Sequence, residues 1–107
     1  MYMSREINIT AKATEEKRYT INLNGEGLLE SIHVVGPGFE RRFYRRNPRQ
    51  HELKLTIALF EEIVASICKV DLEEVADLEE RMRGDAEFYT ALQKQLIKRS
   101  TNTKNPF

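Results

Sequence analysis

The sequence predicts an α+β fold: an antiparallel sheet of three or four strands within residues 5–46, packed by three helices within residues 48–99. Three observations lead there. The apolar residues change period near Asn47, from every second position to every third or fourth. Asn24-Gly25 and Gly36-Pro37-Gly38 place turn chemistry between the strand-like runs. The length, 107 residues, suits one domain with one modest core. Residues 1–99 are read as that domain and residues 100–107 as a flexible tail.

Ile7, Ile9, Ala11 and Ala13 share one face of an extended segment, and Tyr19, Ile21 and Leu23 share one face of a second. Leu29 to Val35 makes a third run, β-branched toward its end. Asn24-Gly25 favours a hairpin between the second and third runs, and Gly27 close behind points to a loop longer than two residues. After the break at Gly36-Pro37-Gly38, residues 39–46 read as a fourth strand or an extended arm. As a strand, it would carry Phe39, Arg41, Phe43 and Arg45 on one face.

Asn47, Pro48 and Gln50 fit an N-cap, a proline at the first helical position and a capping box. From there Leu53, Ile57, Phe60, Val64 and Ile67 form one stripe, widened by Leu55, Leu59 and Ile63, and this is the expected core helix. In the second helix Asp71 and Glu74 suggest a capping box and Val70 a staple against Val75, while Leu72, Val75, Leu78 and Met82 mark the buried face. Gly84 stops it after Arg81 and Arg83, which suit the negative end of the helix dipole. Asp85 caps a third helix with the stripe Phe88, Leu92 and Leu96, flanked by Tyr89, Ala91 and Ile97. Lys98 and Arg99 close it. The polar run from Ser100 is expected to be mobile.

Composition narrows the function classes. Lys and Arg number 17, as do Asp and Glu, so the net charge is zero and a whole-molecule polyanion binder is disfavoured. The apolar fraction of 40% and charged fraction of 32% fit a small domain with much solvated surface, or one that gains burial from a partner. Cys68, the single cysteine, excludes an intrachain disulfide or thiolate chelation and reads as an inert core residue. No apolar run approaches a membrane span, and Met1-Tyr2-Met3-Ser4-Arg5 lacks a signal-peptide core, so the cytoplasm is the expected location.

The charges are sorted along the chain. Residues 39–49 hold five arginines and three aromatics, whereas residues 71–87 hold eight carboxylates. Guanidinium groups pair bidentately with carboxylate or phosphate, and Phe39, Phe43 and Tyr44 offer stacking surfaces for single-stranded nucleic acid. A strand would instead turn an aromatic inward and leave the arginines to water or to the acidic helix. Only Lys17 and Arg18 are evident further recruits to a nucleic-acid patch. The second and third helices resemble a helix-turn-helix in outline, but Glu73, Glu74, Asp77, Glu79, Glu80 and Glu87 would repel phosphates. Arg83-Gly84-Asp85 matches the adhesion tripeptide, yet helix-end chemistry accounts for each residue. His33 and His51 assemble no triad or zinc spacing, and no phosphate-loop pattern is present, so neither an enzyme nor a bound cofactor or metal is expected.

From Leu53 to Ile97 the layout resembles the small tail-assembly chaperones of bacteriophages. It has an apolar helix, the joint Lys69-Val70-Asp71-Leu72, an acidic helix and a last helix that starts with aromatics. The strand-rich opening and the Arg-Asn-Pro junction are similar too. The Arg41 to Arg49 cluster and the number of strands go beyond that pattern. The resemblance implies a non-enzymatic protein that binds an aggregation-prone tail component, often while self-associating.

The sequence therefore sets out a non-enzymatic protein–protein assembly factor, possible as a homo-oligomer, with a protein partner such as a phage tail component. A host-directed inhibitor of phage origin would look much the same. Its expected partner-binding residues are Arg41, Arg42, Phe43, Tyr44, Arg45, Arg46 and Arg49 with Glu73, Asp77 and Glu80. The alternative is a nucleic-acid-binding regulator using the arginine–aromatic patch. Opposite charges on separate segments also suit head-to-tail contact between copies, closing into a ring or growing into a filament. All of this requires the arginine strand and the acidic helix to lie apart.

Overall fold

A computed structural model describes residues 7–14, 16–46, 48 and 52–104, with side chains described as far as Lys98. Four strands, β1 (Ile7–Lys12), β2 (Arg18–Leu23), β3 (Leu29–Gly36) and β4 (Phe39–Tyr44), form an antiparallel meander in chain order. A short β5 (Leu53–Lys54) adds to β4 in parallel, with Phe43 opposite Leu53. Three helices follow: α1 (Ile57–Cys68), α2 (Leu72–Arg81) and α3 (Ala86–Lys104). The α+β architecture read from the sequence is the one observed, with one strand more.

Strand alternation decides which face is covered. Ile9, Ala11, Ala13, Tyr19, Ile21, Leu23, Ile32 and Val34 are buried against the helices. The residues between them, among them Thr10, Thr20, His33 and Arg42, line the other face, as an antiparallel sheet with one solvated side requires. Leu29 is out of phase with Ile32 and Val34 but is still buried, because the β2–β3 register shifts between Asn22 and Leu23. The loop after Leu23 is longer than two residues. The Asn24 carboxamide oxygen accepts from Glu26 N and Leu28 N, and Gly27 carries the positive φ, 82°. At the next hairpin Pro37 leads into Gly38 at φ 76°, the conformation a type II turn reserves for glycine.

The helix layer corrects several expectations. The core helix does not begin at Pro48. Leu53 and Lys54 are in the sheet, and Thr56 is the N-cap, its hydroxyl accepting Leu59 N at 3.1 Å. Asn47, Gln50 and His51 lie outside the described residues. Leu53 and Ile57 consequently stand exposed, although Leu55 is buried in the connection. The Asp71–Glu74 capping box does not form, since Asp71 caps α2 with no side-chain hydrogen bond. The staple fails with it: Val70 is 49% exposed and Leu72 46%. Val75, Leu78 and Met82 are buried as expected, and so is Cys68. α3 runs to Lys104, past the expected close at Arg99, and Ile97 is exposed.

Phe60 and Phe88 join α1 to α3 edge to face, with ring centroids 5.2 Å apart. Full burial of one such ring contributes about 1.5–3 kcal/mol, and pairs of this geometry about 0.5–1.5 kcal/mol more. Elsewhere the layers meet backbone to backbone. A Cβ on Gly27 would lie 2.5 Å from the Arg81 carbonyl oxygen, and one on Gly84 2.5 Å from that of Glu26. The β2–β3 loop and the α2–α3 turn thus fit together only because glycine stands on each side.

Candidate functional site

β4 divides the arginine run. Arg41 lies opposite Val34 and Phe43 opposite Ile32, both buried partners, so Phe39, Arg41, Phe43 and Arg45 share the helix-facing side. Arg42 lies opposite His33 and Tyr44 opposite Ser31, on the uncovered face. The expected patch is therefore two surfaces and not one. Arg49 lies outside the described residues.

Arg45 is engaged inside the molecule. Its guanidinium holds Asp85 bidentately, at 2.7 Å to Oδ2 and 3.2 Å to Oδ1, and also donates to the Leu29 carbonyl and to Glu87. It lies 4.6 Å over the Phe88 ring. The two side chains are 16% and 1% exposed. Asp85 Oδ2 also accepts Leu29 N at 2.8 Å, and Oδ1 accepts Phe88 N at 3.3 Å. One carboxylate thereby caps α3, anchors β3 and neutralises β4. The sequence marks Asp85 as a cap only. Nothing local points to Arg45, 40 residues earlier.

On the uncovered face Arg42 reaches Glu40 at 3.5 Å, and Glu40 also pairs with His33. Arg46 is exposed beside an open cavity of about 460 Å³ that includes Asn8, Asn22, Ser31 and Tyr44. Asn22 donates to Ser31 there at 2.9 Å. On the covered side, at the edge of the helix layer's Leu59 and Ile63, Lys17 and Arg41 each lie 5.7 Å from the Phe39 ring centroid. A groove of about 390 Å³ opens there over Tyr19, Phe43, Leu59 and Ile63. Burial pushes the Tyr19 phenol above its ordinary range. The sequence names Lys17 and Arg41 without showing that they converge on one ring.

The acidic side is α2. Glu73, Asp77 and Glu80 each stand two positions from a buried residue (Val75 or Leu78), about 200° round the helix, and so point away from the core. Asp77 pairs with Arg81 at 3.1 Å, one turn on, whereas Glu73 and Glu80 make no ion pair among the described residues. Glu79 instead accepts from the Tyr89 hydroxyl at 2.8 Å, and this bond, with burial second, raises the Tyr89 phenol. No carboxylate of α2 meets an arginine of residues 41–46 among the described residues. The carboxylates that do so are Glu40 within β4, which meets Arg42, and Asp85 and Glu87 at the start of α3, which hold Arg45.

Among the described residues no cluster of three or more His, Cys, Asp or Glu side chains is placed to hold a metal ion. No helix among them is long and apolar enough to cross a membrane. Neither a family model nor a curated protein nor a solved structure matches the chain.

Proposed function

We propose that the protein is a non-catalytic protein-binding assembly factor of the cytoplasm, of the type the bacteriophage tail-assembly chaperones represent. One observation carries this reading: charges of opposite sign stand uncompensated on separate outer surfaces. Lys17, Arg41 and Arg46 make no ion pair with a described carboxylate, and Glu73 and Glu80 make none with a described cation. Such surfaces steer a complementary partner and fix its orientation more than they add raw affinity.

The nucleic-acid reading has less support. Arg41 and Arg42 face opposite sides of β4, and Arg45 is already held by Asp85. Of the three aromatics in the run, Tyr44 alone faces the open sheet.

The reading is tested by co-expression with the proteins encoded beside it, followed by size-exclusion chromatography. A complex of fixed stoichiometry is expected, lost in Arg41→Glu/Arg42→Glu/Arg46→Glu or in Glu73→Lys/Asp77→Lys/Glu80→Lys at unchanged melting temperature. Complexes indifferent to both variants would overturn it. So would salt-sensitive binding to an oligo-dT strand that disappears in the arginine variant, which would establish the regulator instead.

A further inference from the structure

The groove at the sheet corner has an apolar floor and a cationic mouth. Tyr19, Phe43, Leu59 and Ile63 supply the floor. Lys17 and Arg41 gather over one face-lining ring, Phe39, with no carboxylate between them among the described residues. Each cation is attracted by the negative face of the ring. Their mutual repulsion remains, and an anion placed between them would relieve it. The site is therefore complementary to an apolar knob flanked by carboxylates.

The same chain carries such a knob. At the joint between α1 and α2, Val70 and Leu72 protrude about half exposed on either side of Asp71. The Asp71 carboxylate makes no capping bond, and Glu73 and Glu74 follow in the first turn. Large apolar side chains in this position have no role in the monomer's core, and their carboxylate neighbours face no cation of their own fold among the described residues.

We infer that residues 70–74 of one copy seat in the Lys17/Arg41 groove of a second copy. Val70 and Leu72 fill the floor, and Asp71 and Glu73 meet the two cations. The inference rests on the reading of the protein as a protein-binding factor and specifies one of its partners as itself. The two surfaces differ, so the contact is heterologous and adds copies head to tail. A single corner in a single groove covers less than the roughly 800 Å² per partner of a standard interface, so the contact is weak and reversible.

The test is sedimentation equilibrium of the full chain over a range of concentrations. The average mass is expected to rise with concentration and to return toward monomer near about 1 M salt, where the screening length is about 3 Å. Val70→Ser/Leu72→Ser loses the knob, and Arg41→Glu or Lys17→Glu spoils the groove. Each should weaken self-association at least about tenfold while circular dichroism shows the chain still folded, because Arg41, Val70 and Leu72 are exposed and Lys17 is half-buried. Mixing the knob variant with the Arg41→Glu variant leaves one good groove and one good knob, so a 1:1 dimer and nothing larger is expected. A wild type that stays monomeric throughout overturns the inference, as do variants that still self-associate or a mixture that fails to pair. A monomeric wild type that still binds a neighbour-encoded protein overturns the self-contact alone and leaves the proposed function standing.

Discussion

Asp85 uses both carboxylate oxygens inside the protein, receiving two backbone N–H groups and two guanidinium N–H groups. Removing one member of a buried pair strands the other, at a cost of about 3–5 kcal/mol. Asp85→Ala should therefore lower the unfolding free energy read from urea melts by that amount, and Asp85→Asn by less, since its amide oxygen still accepts a hydrogen bond. The tyrosines set a second expectation. The phenols of Tyr19 and Tyr89 are held above their ordinary value in the folded state, Tyr19 by burial and Tyr89 first by its bond to Glu79. The folded chain then keeps protons that the unfolded chain gives up. Stability should be full below about pH 10 and fall as the pH rises beyond it. Tyr19→Phe should make that alkaline decline shallower in melts taken between about pH 9 and 11.

Helix α1 and its neighbours show which forces set element boundaries. Thr56→Ala should cost about 1 kcal/mol through loss of the cap to Leu59 N. Gly84→Ala should cost more than about 1 kcal/mol, because its methyl meets the Glu26 carbonyl oxygen. Urea melts of the two variants check both values. The strands were legible because a sheet covered on one side demands alternation, and Tyr19, Ile21 and Leu23 supply it cleanly. The start of α1 was misread for a physical reason. Asn47-Pro48 and the spacing of Leu53 to Ile57 satisfy local helix rules, yet pairing of Leu53 with Phe43 prevails, a tertiary contact no local window contains. The capping box at Asp71 failed similarly: the residue types are right, but the side chain makes no bond.

At the scale of the whole molecule, identical side chains in one run have different destinies. Arg45 is part of the interior, whereas Arg41, Arg42 and Arg46 are exposed. Arg41→Glu/Arg42→Glu/Arg46→Glu should leave stability within about 0.5 kcal/mol per site. Arg45→Glu, facing Asp85 and Glu87, should unfold the protein or come close to it, and circular dichroism on both distinguishes the cases. The split between faces was legible from strand alternation alone, which already set Phe39, Arg41, Phe43 and Arg45 together. The internal commitment of Arg45 was not, because its partner comes from another layer of the fold.

That partner also arrives late. Chains lengthen on the ribosome at about 5–20 residues per second, so Asp85, 40 residues behind Arg45, emerges roughly 2–8 s after it. For that interval the nascent sheet has its four meander strands but no anion for its innermost guanidinium, and no side-chain acceptor for the Leu29 amide. The half-made protein is thus a platform awaiting its own latch, and the meander lacks its Asp85 contacts until the start of α3 has been synthesised.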